Sequence, residues 1–261
     1  MAAAAARPIW SGTISFGLVN IPVKLLSAVQ SEELPLHMLS RKDMAPIKYA
    51  RIDSKTGEEV DWKDIVKAYE YAKGKYVPVE EEDFEKASPQ KSKSIDIVQF
   101  VKAEEIDPIY FEKPYYILPA KGGEKTYRLL VKALEEAGTV GIAEFMLRNR
   151  EHVCAIKPYK GVLMLDQMRY QDEIREVPAV DAGRVAEKEL QLALKLIEHL
   201  TETFDPAAFK DDYIASLKKV IKAKAAGKHI RIAEPEERSA TVKDLMEVLR
   251  QSLEGKKKKR A

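Results

Sequence analysis

Few side chains in this 261-residue chain are spaced for catalysis. Gly122-Gly123-Glu124-Lys125-Thr126 stands between a predicted strand and a predicted helix, the setting of a phosphate-binding loop. It lacks the order G-x-x-x-x-G-K-[ST], however, and Glu124 puts a carboxylate where the last glycine belongs, so it reads as a turn. His37, His152, His199 and His229 are far apart and show no ligand spacing, and no carboxylates cluster with them. Asp172 and Glu173 could be imagined as an acid and base pair, but neighbours on an extended piece point to opposite faces. The single cysteine, Cys154, cannot form an internal disulfide and fits a reducing cytoplasm. It lies in the apolar run Val153 to Ile156, which makes it a buried, inert thiol. Nothing pairs a nucleophile with a base. The expectation is a protein that is not an enzyme and uses neither cofactor nor metal.

What remains is the chemistry of charge. The net charge is only +2, but it is unevenly spread: residues 1–209 carry 29 Lys and Arg against 34 Asp and Glu, and residues 210–261 carry 15 against 8. An acidic body that binds a polyanion must do so through a locally basic strip. Arg41, Lys42, Lys48, Arg51, Lys55, Lys73 and Lys75 fall in turn-like or extended pieces, where alternation puts several on one face of a ribbon. Asp43, Asp53, Glu58 and Glu59 lie among them, so a solvated mixed face competes with a phosphate-binding strip for any one of these residues. Lys256, Lys257, Lys258, Lys259 and Arg260 form a basic tail that would grip phosphates non-specifically or serve only solubility.

These charges need elements to hold them. With 45% hydrophobic residues the chain can bury a substantial core. No apolar run approaches the roughly 20 residues of a membrane-spanning helix, and the Met1 to Ala6 stretch has neither the basic start nor the apolar middle of a signal peptide. Trp10 to Leu25 reads as one strand that changes face halfway: Ile14, Phe16 and Leu18 alternate in one phase, Val19, Ile21, Val23 and Leu25 in the other. Gly17 marks the bulge at which such a strand would turn a barrel corner. Short extended pieces follow at 33–38 and 47–52, with a turn at Asp53-Ser54-Lys55-Thr56-Gly57. Ile65, Val66 and Tyr69 predict a helix over 61–71 stopped by Gly74, then an extended piece at 76–79 and a short helix from Glu80. Strands are predicted at 95–102, 115–118, 140–148, 152–157 and 162–167, with a helix over 126–136 ended by Gly138. Closely spaced strands with few long helices favour a barrel or sandwich. From Gly183 the pattern turns helical, with one stripe from Val185 to Leu200 and a second helix starting at Asp205-Pro206. These stripes must bury themselves on their own barrel or on a partner subunit.

The run Ser11 to Lys24, Ser-Gly-Thr-Ile-Ser-Phe-Gly-Leu-Val-Asn-Ile-Pro-Val-Lys, resembles the opening signature of the bacterial Ku proteins, which bind broken DNA ends in non-homologous end joining. The resemblance extends to Phe145 to Glu151, to Met168 to Arg175, to Asp205-Pro206 and to the amphipathic C-terminal segment. It implies an α+β fold: a Ku-like β-barrel core with an inserted bridge and a C-terminal helical arm, two copies of which form a ring-shaped homodimer threaded by duplex DNA. On that scheme residues 1–8 are an N-terminal extension, 9–182 the barrel core with its bridge at about 37–93, and 183–232 the dimerising arm. Residues 233–254 are a linker and amphipathic helix, and 255–261 the basic tail. The DNA contacts expected are the bridge cations above and the tail; the opening run builds the barrel, and Lys24 at its end is the one residue there placed to reach a phosphate. Some relatives carry a Cys-x-x-Cys pair at the bridge hairpin; this chain has Asp53 and Thr56 there, which gives a structural zinc no support.

Thr241-Val242-Lys243-Asp244 has the form of a capping box, and Val242, Leu245, Met246, Leu249 and Leu253 make one apolar stripe ended by Gly255. So short a helix is marginal unless its stripe is buried. It would dock on its own domain or in a partner's groove, and the resemblance makes it the segment that engages an ATP-dependent DNA ligase, ligase D. The implied function is sequence-independent binding of DNA ends and recruitment of that ligase in double-strand break repair, in a cytoplasmic, nucleoid-associated setting. An architectural DNA- or RNA-binding protein that uses only the basic arm and tail is the alternative.

Overall fold

A computed structural model describes residues 7–30, 34–87, 93–147, 150–180 and 183–227. The chain divides into two compact units, Met1–Glu176 and Val177–Ala261.

The first unit is built on a closed seven-stranded barrel. Its strands are β1 (Trp10–Phe16), β2 (Val19–Ser27), β5 (Ser94–Lys102), β6 (Phe111–Pro119), β7 (Thr139–Leu147), β8 (Arg150–Tyr159) and β9 (Val162–Met168). Around the barrel they run β1-β2-β6-β9-β8-β7-β5. Every neighbouring pair is antiparallel except β5 and β1, which close the ring in parallel through Thr13↔Ser94 to Ser15↔Asp96. Closure leaves the barrel without a free edge that could pair with another chain.

The opening run is two strands where the sequence suggested one. Gly17 and Leu18 form a two-residue turn, Phe16 pairs with Val19, and Gly17 has φ of +59°. Glycine at the first position of such a turn is what a tight hairpin of the II′ kind requires. The change of phase at Leu18 and Val19 is therefore the turn itself. It carries Ile14 and Ile21, which pair across the hairpin, onto the same inner face, where both are fully buried. Gly12, at the start of this run, has no room for a side chain: a Cβ there would lie 2.1 Å from the Lys93 carbonyl oxygen.

Helix α2 (Glu124–Ala137) packs on this core. Tyr127, Leu130, Val131 and Leu134 are buried with the inward residues of the strands, and Gly138 ends the helix in the left-handed region at φ +63°. The Tyr127 hydroxyl donates to the Ile117 carbonyl at 2.6 Å and accepts from the Leu163 amide at 2.7 Å. Ile117 and Leu163 are partners on β6 and β9. One phenol thus satisfies both backbone groups and ties helix to barrel.

Between β2 and β5 the chain leaves the barrel. Trp62–Asp64 is a single 3-10 turn, β3 (Lys67–Ala72) and β4 (Lys75–Val79) form a two-stranded ribbon, and α1 (Glu81–Ala87) follows. The helix expected over 61–71 is not formed. Tyr69 and Tyr71 alternate with Ala68, Glu70 and Ala72, and that period of two pairs with Tyr76 to Val79 across a turn at Gly74, φ +73°. The segments at 34–38 and 47–52 form no regular strand; the isolated bridges Leu39↔Pro46 and Ile52↔Glu59 tie this stretch together, with the Ile47 amide donating to the Met38 carbonyl and the Val60 amide to the Arg51 carbonyl beside them. No described residue from 34 to 87 is buried.

In the second unit, α3 (Glu187–Leu200) and α4 (Asp212–Ala225) are the described helices. The second begins later than Asp205-Pro206 suggested. Asp205 caps only a 3-10 turn, Pro206–Ala208, while Asp211 accepts from the Ile214 amide at 2.8 Å and starts α4, so Phe209 lies outside it. Among the described residues no helix is long and apolar enough to cross a membrane. The proposed docking stripe Val242 to Leu253 and the tail Lys256 to Arg260 lie outside the described residues.

Candidate nucleic-acid interface

Two turns carry three of the seven bridge cations, and they are built alike. In Ser40 to Ala45, the Ser40 amide donates to the Ala45 carbonyl and the Met44 amide to the Ser40 carbonyl, both at 2.8 Å. The Ser40 hydroxyl accepts from the Lys42 amide and the Asp43 carboxylate from the Ala45 amide. In Asp53 to Glu58 the same four bonds recur: Asp53 to Glu58, Gly57 to Asp53, Lys55 to the Asp53 carboxylate and Glu58 to the Thr56 hydroxyl. The fifth residue of each turn is left-handed, Met44 at φ +58° and Gly57 at φ +76°. Backbone amides hold the carboxyls of Asp43 and Asp53 below their ordinary value, with the Ser40 hydroxyl the leading cause for Asp43. Asp53 and Thr56 are therefore committed to closing their own turn.

This construction puts Arg41 and Lys42 at one exposed tip and Lys55 at the other. Lys73 sits at a third, the β3–β4 turn, which Glu70 closes by accepting from the Gly74 amide at 2.7 Å. Lys75 follows on β4, opposite Ala72. Arg51 is held with its guanidinium 4.5 Å from the Trp62 ring centroid, a cation–π contact that fixes its direction. Lys48 is exposed between the two turns. These cations occupy separate turns and are not brought into one cluster; they line the course of an exposed ribbon. Around them Tyr49, Trp62, Tyr69, Tyr71 and Tyr76 are exposed in this single chain.

Lys24 points outward from β2, between Ser11 on β1 and Leu118 on β6. Further round the same outer face lie residues that no sequence expectation included. Tyr116 pairs with Leu26 on one side and Met164 on the other, and its ring stacks on Tyr159 at 6.3 Å and 23°. Lys160 and Gly161 form the β8–β9 turn, with Lys160 Nζ 5.2 Å from the Tyr159 ring centroid. The signal was present: Tyr-Lys-Gly between two apolar runs is a hairpin tip that displays its lysine. Lys157 shares this face, but its amine is 2.6 Å from the largely buried Asp166 carboxylate.

The remaining chemistry-bearing side chains have structural tasks. Glu124 accepts from the Gly122 amide at 3.0 Å, so its own carboxylate occupies the amide that a phosphate would take. Glu173 accepts from the Tyr170 amide and pairs with Arg150 at 3.0 Å. Arg169 donates to the carbonyls of Ile109 and Phe111, which binds the segment after β9 to the one before β6. His152 lies on the Phe145 ring with Nδ1 3.2 Å from Gln167, and burial pushes its pKa down. Burial, aided by the nearby Asp166, pushes the Cys154 thiol far up, which keeps it protonated and inert.

The family model for the Ku70/Ku80 beta-barrel domain matches residues 15–192. Curated relatives span nearly the whole chain. The "Non-homologous end joining protein Ku" of Opitutus terrae is 41% identical over 98% of this chain and 95% of its own length. Those of Coxiella burnetii, 40% identical over 97% and 96%, and of Archaeoglobus fulgidus, 42% identical over 96% and 100%, carry the same name.

Proposed function

Because the chain belongs to the Ku family of end-joining proteins, we propose that it binds the ends of double-stranded DNA without regard to sequence, as a ring of two copies through which the duplex threads, and that it recruits and stimulates a DNA ligase. It acts as a scaffold and catalyses nothing itself. The observation that carries this reading is the segment between β2 and β5. It presents cations on stiffened turns, has no buried residue among those described, and leaves six large aromatic side chains exposed, Phe84 the least. A two-stranded ribbon is marginal in water by itself, and a second copy closing over duplex would cover both its aromatics and its charge.

A ring on duplex makes sequence-independent sense physically. Duplex DNA offers a negative charge about every 1.7 Å along its axis, and a clamp that moves along it needs lysine and arginine on backbone-following elements. The barrel supplies the rigid base and Lys24 a cation upon it. The segment 233–254 is assigned to the ligase: it combines an acidic linker with an apolar stripe suited to a partner's groove.

The test is loading followed by trapping. Protein is mixed with linear duplex, both ends are then blocked with bulky caps, and salt is raised. Threaded protein stays on the capped duplex and leaves at once when a nuclease cuts it. Protein that leaves capped and uncapped duplex equally fast refutes the ring. Removal of residues 233–254 is expected to abolish ligase stimulation while end binding persists.

A further inference from the structure

Lys160 occupies a backbone position that does not suit it. The Lys160–Gly161 turn joins Tyr159 to Val162 with two residues, both at positive φ, +47° and +83°. Such turns favour Asn, Asp or Gly at the first position: a Cβ there crowds the following carbonyl, which glycine avoids and the short polar side chains of Asn and Asp offset by local hydrogen bonds. In the two-residue β1–β2 turn glycine takes that first place, at Gly17. A residue kept in the left-handed region against its preference points to a use for its side chain.

The surroundings say what that use is. The ammonium rests over Tyr159, whose ring is stacked on Tyr116, so the charge is held at the surface by an aromatic platform. Alternation places Lys24 and Leu26 on one face of β2, and Leu26 pairs with Tyr116, so Lys24, Tyr116, Tyr159 and Lys160 share one outer face of the β2-β6-β9-β8 sheet. The strands that carry the two lysines are three spacings apart, about 14 Å along the curved sheet. A duplex laid across β6 and β9 passes between them, where each lysine can meet its phosphates. Lys157, on the same face, is neutralised by Asp166.

We infer that the β8–β9 turn is a phosphodiester-binding site of the barrel, with Lys160 as its cation and Lys24 as its partner across the sheet. The inference rests on the end-binding reading and adds a barrel-side cation pair to those of the bridge.

Lys160→Asn is the test, since asparagine suits the left-handed position and removes the charge. The variant is expected to unfold at no lower temperature than the parent. Its binding to a short linear duplex is expected to weaken roughly eightfold at 0.1 M salt for each phosphate no longer neutralised, with the slope of log K against log salt shallower by about 0.9 per phosphate. Lys160→Arg should restore both. Parent and Lys160→Asn binding with the same slope overturns the site while the end-binding reading stands; a parent that binds no linear duplex overturns both. Loss of binding to a polyglutamate peptide without loss of duplex binding would make the site one for acidic protein and also overturn the inference.

Discussion

Replacing Tyr127 by phenylalanine tests how the helix α2 is fixed to the barrel. The substitution keeps the ring, which is 3% exposed, and so opens no cavity beyond one oxygen. It removes two hydrogen bonds at once and leaves the Ile117 carbonyl and the Leu163 amide buried without a partner. An orphaned buried backbone group costs about 1–3 kcal/mol, so the pair should cost roughly 3 kcal/mol, about a hundredfold in the folding constant. With a urea slope of about 2 kcal/mol/M, the unfolding midpoint should fall by about 1.5 M at unchanged slope. Trp10 packs against the barrel core, so its fluorescence reports this transition when Trp62, the second tryptophan, is changed to Phe in both proteins. Tyr76→Phe, at an exposed phenol, should stay within about 0.5 kcal/mol. A Tyr127→Phe midpoint indistinguishable from that control would refute the view that this hydroxyl closes the β6–β9 seam.

Glutamine at Arg41, Lys42 and Lys55 together should leave the barrel transition in place and flatten the salt dependence of duplex binding by about 0.9 per phosphate no longer neutralised, read by fluorescence anisotropy. The Cys154 thiol should resist a disulfide reagent in the native protein and react with one equivalent once the barrel is unfolded in urea; fast labelling of the native chain would show the strand open. Asp53 has a depressed folded-state pKa, so its turn is secured at neutral pH and released as pH falls through that lowered value, beneath the ordinary 3.8. The Lys55 and Thr56 amide resonances should report this titration and lose it in Asp53→Asn.

Much of the barrel was legible because its signals are local. The helix 124–137 has a clean apolar stripe and a glycine stop, and β7, β8 and β9 are runs of alternating or continuous apolar residues of the right length. The opening run misled by its turn: a two-residue hairpin and a bulged strand both shift the alternation by one, and only the pairing of Phe16 with Val19 separates them. The stretch 61–71 misled because it has no core to bury, so apolar spacing carried no information about its period. The likeness of the two bridge turns was hidden because Ser40 and Asp43 do the work of Asp53 and Thr56 with different side chains in the same hydrogen bonds. The bridge cations were found by charge alone, whereas Lys160 needed the turn geometry, since one lysine in a hairpin looks ordinary until its φ is known.

The central claim is topological, and competition between linear and covalently closed DNA tests it most directly. With a labelled linear duplex in a gel shift, unlabelled linear competitor should displace the protein while a relaxed closed circle of the same sequence, mass and salt should not. Cutting that circle once should turn it into a full competitor. Equal competition by the closed and the cut circle would contradict threading at a free end and reduce the protein to one that adheres to phosphates anywhere.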